Sequence, residues 1–147
     1  MALQIAYGTM MILLSTLVAA VGFFLLELAL IRGRGWLSRP PYGVKIVTLL
    51  VMSVFWTLGI VTASVWIWAF AYYALGLFET IEAAVYFSIV AFTTLGFGDV
   101  LLPHEWRLLS GLEAVNGLLM FGLLTAMLVE VLRRIRSIQL DRGPWTG

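Results

Sequence analysis

The chain contains three apolar stretches, each long enough to cross a lipid bilayer as a helix. They run from about Ile5 to Ile31, from about Val44 to Leu77 and from about Leu108 to Leu132. The charged residues inside these stretches are few: Glu27, Lys45, Glu113 and Glu130. A spanning helix needs roughly 20 predominantly apolar residues. The sequence therefore predicts an all-α integral membrane protein with three transmembrane helices, surrounded by the lipid bilayer.

The composition agrees with this prediction. Of 147 residues, 62% are hydrophobic and only 12% are charged, whereas soluble domains carry about 25% charged residues. We expect one compact membrane unit without a further soluble domain. The lack of cysteine and the single histidine, His104, argue against thiolate or multi-histidine metal sites. A net charge of +1 gives no sign of a nucleic-acid partner, and no cofactor is expected.

The segment between the second and third stretches is apolar in its middle but too short to cross a membrane. Glu79 and Glu82 open a helical pattern over Ile81 to Phe92, which stops at residues 93–99. Pro103 then blocks continuation of the helix. A half-length helix followed by a glycine-bearing turn suggests a re-entrant loop. Because non-helical backbone at membrane depth must be buried in protein or line a water-filled cavity, the segment points to a pore.

Charge predicts the orientation of the chain. Eight of the nine basic residues flank the stretches on one side: Arg32, Arg34, Arg39, Lys45, Arg133, Arg134, Arg136 and Arg142. By the positive-inside rule this side is cytoplasmic. The amino terminus and the re-entrant loop are then outside and the carboxyl terminus is in the cytoplasm. The compact form and the lack of a targeting signal fit a prokaryotic inner membrane.

Aromatic residues fit anchoring at the membrane interfaces. Trp36 is expected near the inner boundary, and five residues are expected towards the outer one: Trp66, Trp68, Tyr72, Tyr73 and Trp106. For Trp66 and Trp68, packing between helices is an equally good explanation. Near the basic end, Glu130 lies at helical spacing from Arg133 and Arg134, and Glu27 lies close to Arg32 and Arg34.

The residues after the short helix read Thr93-Thr94-Leu95-Gly96-Phe97-Gly98-Asp99. This segment closely resembles the selectivity filter of potassium channels, in which backbone carbonyls replace the hydration shell of the ion. Its position between two spanning stretches, opposite the basic residues, favours a filter over a simple glycine turn. Successive carbonyls must face one axis, and Gly96 and Gly98 permit the backbone angles that this requires.

The resemblance implies roles for individual residues. The ion-binding residues are Thr94, Leu95, Gly96, Phe97 and Gly98, with K⁺ held by the backbone carbonyls of the first four and by the Thr94 hydroxyl. The residues expected to support the filter are Thr93, Asp99, Tyr86, Glu113 and Asn116, with Tyr86 able to hydrogen-bond to Asp99. A ring of carbonyls needs several chains, so the resemblance implies a homotetramer with an axial pore.

The third stretch resembles the inner helix of small bacterial two-helix potassium channels. Gly117 matches the gating hinge of that family, although close helix packing explains a glycine equally well. At 100° per residue one face carries Leu118, Phe121 and Thr125, and in the family this face lines the cavity. Glu113 and Asn116 fall on the opposite face, where we expect them to brace the filter; the alternative places Glu113 at interfacial water.

The likeness covers residues 44–134, the expected pore domain with outer helix, pore helix, filter and inner helix. Residues 1–43 add an N-terminal transmembrane helix and a basic cytoplasmic loop, and residues 135–147 form a short cytoplasmic tail. The family commonly has Val or Ile in place of Leu95 and Tyr in place of Phe97. The sequence thus predicts a potassium-selective channel that conducts passively; the alternatives are a weakly selective monovalent cation channel and a non-conducting regulatory subunit. No nucleophile–base pair suggests an enzyme.

Overall fold

The computed structural model describes residues 1–33, 35 and 42–140. It contains four α-helices: α1 (Ala2–Arg32), α2 (Tyr42–Ala74), α3 (Ile81–Phe92) and α4 (Arg107–Leu140). A single 3₁₀ turn, His104–Trp106, precedes α4, and no strand occurs in these ranges. Four residues used in the predictions lie outside the described residues: Arg34, Trp36, Arg39 and Arg142.

Three helices are long and apolar enough to cross a membrane, namely α1, α2 and α4, so the prediction of three spanning helices is confirmed. Helix α4 continues to Leu140, beyond the end of the apolar stretch at Leu132. Arginine is a good helix former, so Arg133, Arg134 and Arg136 do not interrupt the helix. The first residues of the expected tail are therefore helical.

The short helix α3 has the ends that the sequence predicts. At its start the Thr80 hydroxyl accepts a hydrogen bond from the Ala83 N–H at 3.2 Å, and Glu82 lies in the first turn. This is a standard N-cap with a favourable acidic residue. At its end the Thr93 hydroxyl donates to the Ile89 carbonyl at 2.7 Å. Both ends are thus fixed by local hydrogen bonds.

Helix α1 packs against both α2 and α4. The Trp56 indole of α2 donates to the Gly22 carbonyl of α1 at 3.0 Å. A Cβ at Gly22 would lie 2.6 Å from the Ile60 side chain, so glycine permits the close approach of the two helices. Small residues at helix contacts are typical of membrane proteins, where van der Waals packing replaces the hydrophobic drive.

Three apolar clusters follow one another along α4. Their members include Trp68, Phe87 and Leu109 in the first, Ile60, Phe92 and Met120 in the second, and Leu30, Val131 and Ile135 in the third. Several polar side chains are also completely buried: Ser15, Ser64, Ser88, Glu113 and Asn116. Burying polar groups is costly unless they are hydrogen-bonded. These residues therefore mark the part of the fold where function is to be sought.

At the basic end Arg134 joins two carboxylates. Its guanidinium lies 2.7 Å from Glu27 of α1 and 3.0 Å from Glu130, one turn earlier on α4. The expected pairing of Glu130 with a following arginine is confirmed. Glu27 reaches Arg134 of α4, a partner that its local sequence does not suggest, because α1 lies alongside α4.

We predict that the Glu27–Arg134 contact couples α1 to α4 weakly. The side chains are about one third exposed, so a double-mutant cycle with Glu27→Gln and Arg134→Gln should give a coupling free energy of about 0.5 kcal/mol. Thermal unfolding of the purified protein in detergent measures it. Glu130→Gln is the matched control, since it removes a carboxylate within α4. A coupling energy indistinguishable from zero would show that the pair does not join the helices.

Candidate functional site

The backbone after α3 alternates in handedness. Thr94, Gly96 and Gly98 have positive φ values of +59°, +57° and +75°. Alternation with left-handed residues gathers N–H groups on one side of a chain and so permits the carbonyls to share the other side. The left-handed conformation is expected for the two glycines but is unusual for a β-branched residue. No feature of the sequence indicates the left-handed conformation of Thr94, whose strain is part of the segment's shape.

The start of this segment is tied to α3 through its N–H groups. The Val90 carbonyl accepts hydrogen bonds from the N–H of Leu95 at 3.0 Å and of Gly96 at 3.3 Å, and the Thr94 N–H donates to Ala91 at 3.0 Å. Within residues 1–33, 35 and 42–140, the carbonyls of residues 94–98 accept no hydrogen bond. Backbone carbonyls need partners, so this segment offers a row of free oxygens.

Tyr86 and Asp99 flank the segment and bond to each other. The Tyr86 hydroxyl donates to Asp99 Oδ2 at 2.6 Å, and the Val100 N–H donates to Oδ1 at 3.0 Å. The hydrogen bond from Tyr86 lowers the pKa of the Asp99 carboxyl, with a smaller contribution from backbone N–H groups. The same bond raises the pKa of Tyr86. The structure thus brings together the two residues that the sequence paired, across the filter-like segment.

Glu113 lies fully buried where three helices meet. The Tyr72 hydroxyl of α2 donates to Glu113 Oε2 at 2.7 Å, and the Ser88 hydroxyl of α3 lies 2.5 Å from Oε1. The Ser88 hydroxyl also lies 2.9 Å from the Val65 carbonyl. Glu113 therefore faces α2 and α3, the direction that the sequence predicts, and its side chain is not exposed on the surface of the chain.

Sequence reasoning missed both partners of Glu113. Tyr72 was expected near the outer interface, but its side chain is fully buried because its face of α2 packs against Phe78 and Phe87. Ser88 is a single polar residue inside the apolar pattern of α3, and only that interruption could have indicated a role. Trp68 is likewise buried in the core, whereas Trp66 remains partly exposed beside Phe70.

Asn116 and Gly117 occupy the face of α4 that meets α3. Asn116 is buried, and neither atom of its amide has a hydrogen-bond partner among the described residues, so the expected hydrogen bonds are not formed there. A Cβ at Gly117 would lie 1.8 Å from the Phe92 carbonyl oxygen. Close packing of α4 on the end of α3 is thus a sufficient reason for a glycine at this position.

A neighbouring face of α4 is open in the single chain. Leu118 is 61% exposed and Phe121 43% exposed, and Thr125 is exposed one turn further on. The side chains of Leu95 and Phe97 are 56% and 65% exposed. The three residues expected to line a cavity thus share one open face, and the apolar side chains of the filter-like segment are also uncovered.

Comparison with known proteins places this arrangement in a class. A family model described as "Ion channel" matches residues 60–134, which is just over half of the chain. The matched range includes the last part of α2 from residue 60 onward, all of α3, the segment 93–99 and α4 as far as Arg134. No curated protein and no solved structure matches the chain significantly.

The protein is therefore an integral membrane protein of the ion-channel class. Within that class it belongs to the family of pore-loop channels that have two transmembrane helices and resemble potassium channels. Helix α1 lies outside the matched residues.

Removing the Tyr86 hydroxyl should move the titration of Asp99. The folded-state pKa of Asp99 is lowered by this bond, so the carboxylate stabilises the fold above the unfolded pKa and loses that contribution as pH falls through the folded pKa. In Tyr86→Phe the pKa of Asp99 should be higher, because this hydrogen bond is missing, so the loss of stability should begin at a higher pH. The ¹³C shift of the Asp99 carboxyl, followed against pH, measures the change. Tyr73→Phe is the control, and an unmoved Asp99 titration in Tyr86→Phe would contradict the assignment.

Gly117→Ala should destabilise the protein by about 1–3 kcal/mol, because the added methyl group meets the backbone of Phe92. Thermal unfolding in detergent measures this loss. Gly59→Ala, also within a spanning helix but with nothing near its Cβ position, should be neutral or stabilising. A Gly117→Ala protein as stable as wild type, with altered gating only, would favour the hinge explanation.

Proposed function

We propose that four copies of this chain form a potassium-selective channel that conducts K⁺ passively across a membrane. The observation that carries the proposal is the segment 94–98, in which alternating left-handed residues leave a row of unpaired carbonyls. Rings of such carbonyls replace the water around K⁺ in potassium channels. The Thr94 hydroxyl completes the ligand set, and Thr93 and Asp99 hold the two ends of the segment.

The charge near the segment favours cations. Helix α3 ends at Phe92, beside the segment, and the carboxyl end of a helix carries a partial negative charge. Acidic residues also lie before and after the segment: Glu79, Glu82, Asp99 and Glu105. Carboxylates around a pore mouth concentrate cations. Four copies of this arrangement would attract a cation and repel an anion.

The fourfold assembly is supported by what a single chain leaves uncovered. One chain supplies one strand of carbonyls, whereas coordination around an axis needs several, and cyclic symmetry closes such a ring. The exposed side chains of Leu95, Phe97 and Leu118 would then be shielded from water or line the pore. Leu118, Phe121 and Thr125 are the proposed cavity-lining residues, and Gly117 is the proposed hinge.

The proposed orientation follows the basic residues. The end of the bundle that carries Arg32, Arg133 and Arg136 would face the cytoplasm, with the amino terminus and segment 94–98 towards the outside. A prokaryotic inner membrane is the proposed location. We propose no catalytic reaction and no cofactor, with K⁺ as the transported ligand.

Weak selectivity is the second candidate, because Phe97 lacks the hydroxyl group that tyrosine supplies at this position in many relatives. Reversal potentials of the purified protein in liposomes, with K⁺ on one side and Na⁺ on the other, distinguish a potassium-selective channel from a weakly selective one. A potential close to the K⁺ equilibrium value is the expected result. Equal permeabilities would indicate the weakly selective channel, and no flux from verified tetramers would indicate a non-conducting subunit.

Gly96→Ala should abolish K⁺ flux, because its φ of +57° is unfavourable for alanine. The matched control is Gly76→Ala. Gly76 has a φ of +68° and, like Gly96, nothing near its Cβ position, but it lies at the end of α2, away from the proposed filter. Both variants suffer the same backbone strain, and only the first should lose K⁺ flux into liposomes. Equal loss of flux in both variants would contradict the filter assignment.

A further inference from the structure

The oxygen atoms around Glu113 make more contacts at hydrogen-bond distance than the neighbouring hydroxyl groups have protons to supply. Three oxygen–oxygen contacts lie within hydrogen-bond distance: Tyr72 to Glu113 Oε2 at 2.7 Å, Ser88 to Glu113 Oε1 at 2.5 Å, and Ser88 to the Val65 carbonyl at 2.9 Å. Each hydroxyl carries one proton, whereas an ionised carboxylate and a backbone carbonyl only accept. Two protons cannot fill three contacts, so an ionised Glu113 leaves one of them without a proton.

The surroundings of Glu113 provide no compensating positive charge. Its side chain is fully buried, and no ion pair reaches it within the described part of the chain. Arg107, earlier on α4, donates from Nε to the Leu102 carbonyl. Lys45 lies near the far end of α2, about 40 Å from Tyr72 at 1.5 Å per residue. A buried, unpaired carboxylate is so costly that the neutral acid is preferred.

We infer that Glu113 is held as a neutral carboxylic acid that donates its proton to Ser88, while Ser88 donates to the Val65 carbonyl and Tyr72 donates to Glu113. All three contacts then have a proton, and no charge is buried. Tyr72, Ser88 and Glu113 are thereby assigned as positioning residues, which join α2, α3 and α4 by one continuous chain of hydrogen bonds.

The chain of hydrogen bonds acts on the segment 94–98 through α3. Ser88 lies two residues before Val90, whose carbonyl holds the N–H groups of Leu95 and Gly96. A shift of α3 at Ser88 therefore moves the anchor of the carbonyl row. This part of the inference rests on the proposed function, because it takes residues 94–98 to be a filter.

Glu113→Gln distinguishes a neutral acid from an ion. The glutamine amide can donate to Ser88 and accept from Tyr72, as the neutral acid does, so the K⁺ over Na⁺ permeability ratio should stay within about twofold of wild type. Glu113→Leu keeps a side chain of similar size but leaves Tyr72 and Ser88 without their partner, and the ratio should fall about tenfold or more. Glu113→Asp, one methylene shorter, should resemble the leucine variant.

The matched control is Glu82→Gln. Glu82 is exposed on α3, so this variant removes a carboxylate from the neighbouring helix without touching the buried contacts. A carboxylate at the pore mouth attracts K⁺ and Na⁺ alike, so the conductance should fall in this variant while the permeability ratio should not change. Tyr72→Phe removes one donor to Glu113 and should lower the ratio in the same direction as Glu113→Leu.

Infrared spectroscopy of the purified protein at neutral pH tests the proton directly. Wild type should show a C=O stretching band of a protonated carboxylic acid that shifts in D₂O and is absent from Glu113→Gln, while Glu82→Gln should retain it. This measurement does not need the Glu113→Leu variant, so it can be made even if that variant does not fold. It is also independent of conduction, so a wild-type protein that carries no K⁺ would overturn the proposed function without overturning the neutral acid.

Two results would overturn the inference. The first is the lack of any protonated-acid band that Glu113→Gln removes. The second is a Glu113→Gln protein that loses selectivity or thermal stability as severely as Glu113→Leu, because an ionised carboxylate, and not a hydrogen-bonded neutral group, would then be required.

Discussion

Every backbone polar group at membrane depth needs a partner, and among the described residues the carbonyls of segment 94–98 have none. Helices α1, α2 and α4 pair their own N–H and carbonyl groups. In residues 94–98 the first N–H groups bond back to α3, while the carbonyls are left free among the described residues. The rest of the fold serves to hold this one irregular segment in place, since a row of free carbonyls is useful only if its position is fixed.

Helix α3 is the platform for that segment, and it is held at both ends. The N-cap at Thr80 fixes its start, and the backbone of α4 at Gly117 lies directly against the Phe92 carbonyl at its end. Between them, Ser88 links α3 to α2 and to Glu113 of α4. The platform is thus positioned by polar contacts inside an apolar bundle, where lost hydrogen bonds cannot be replaced by water.

Helix α1 adds to this arrangement from outside the residues that match the ion-channel family. It contacts α2 through Gly22 and Trp56 and reaches the far end of α4 through Glu27 and Arg134. These contacts lie along the length of the helices, so α1 supports the two helices that carry α3. Its sequence, nearly free of charge and polar motifs, predicted a membrane span but nothing about the surface that it covers.

The sequence alone determined the three spanning helices, the ends of α3 and the filter-like segment, because these depend on local properties: apolar length, capping residues and glycine spacing. It also paired Tyr86 with Asp99 and placed Glu113 away from the open face of α4. Only the tertiary structure decided that Tyr72 is buried beside Glu113, that Glu27 pairs with Arg134, and that Gly117 meets Phe92. These contacts join residues distant in sequence, and they depend on how the helices are rotated and packed, which helical periodicity by itself does not specify.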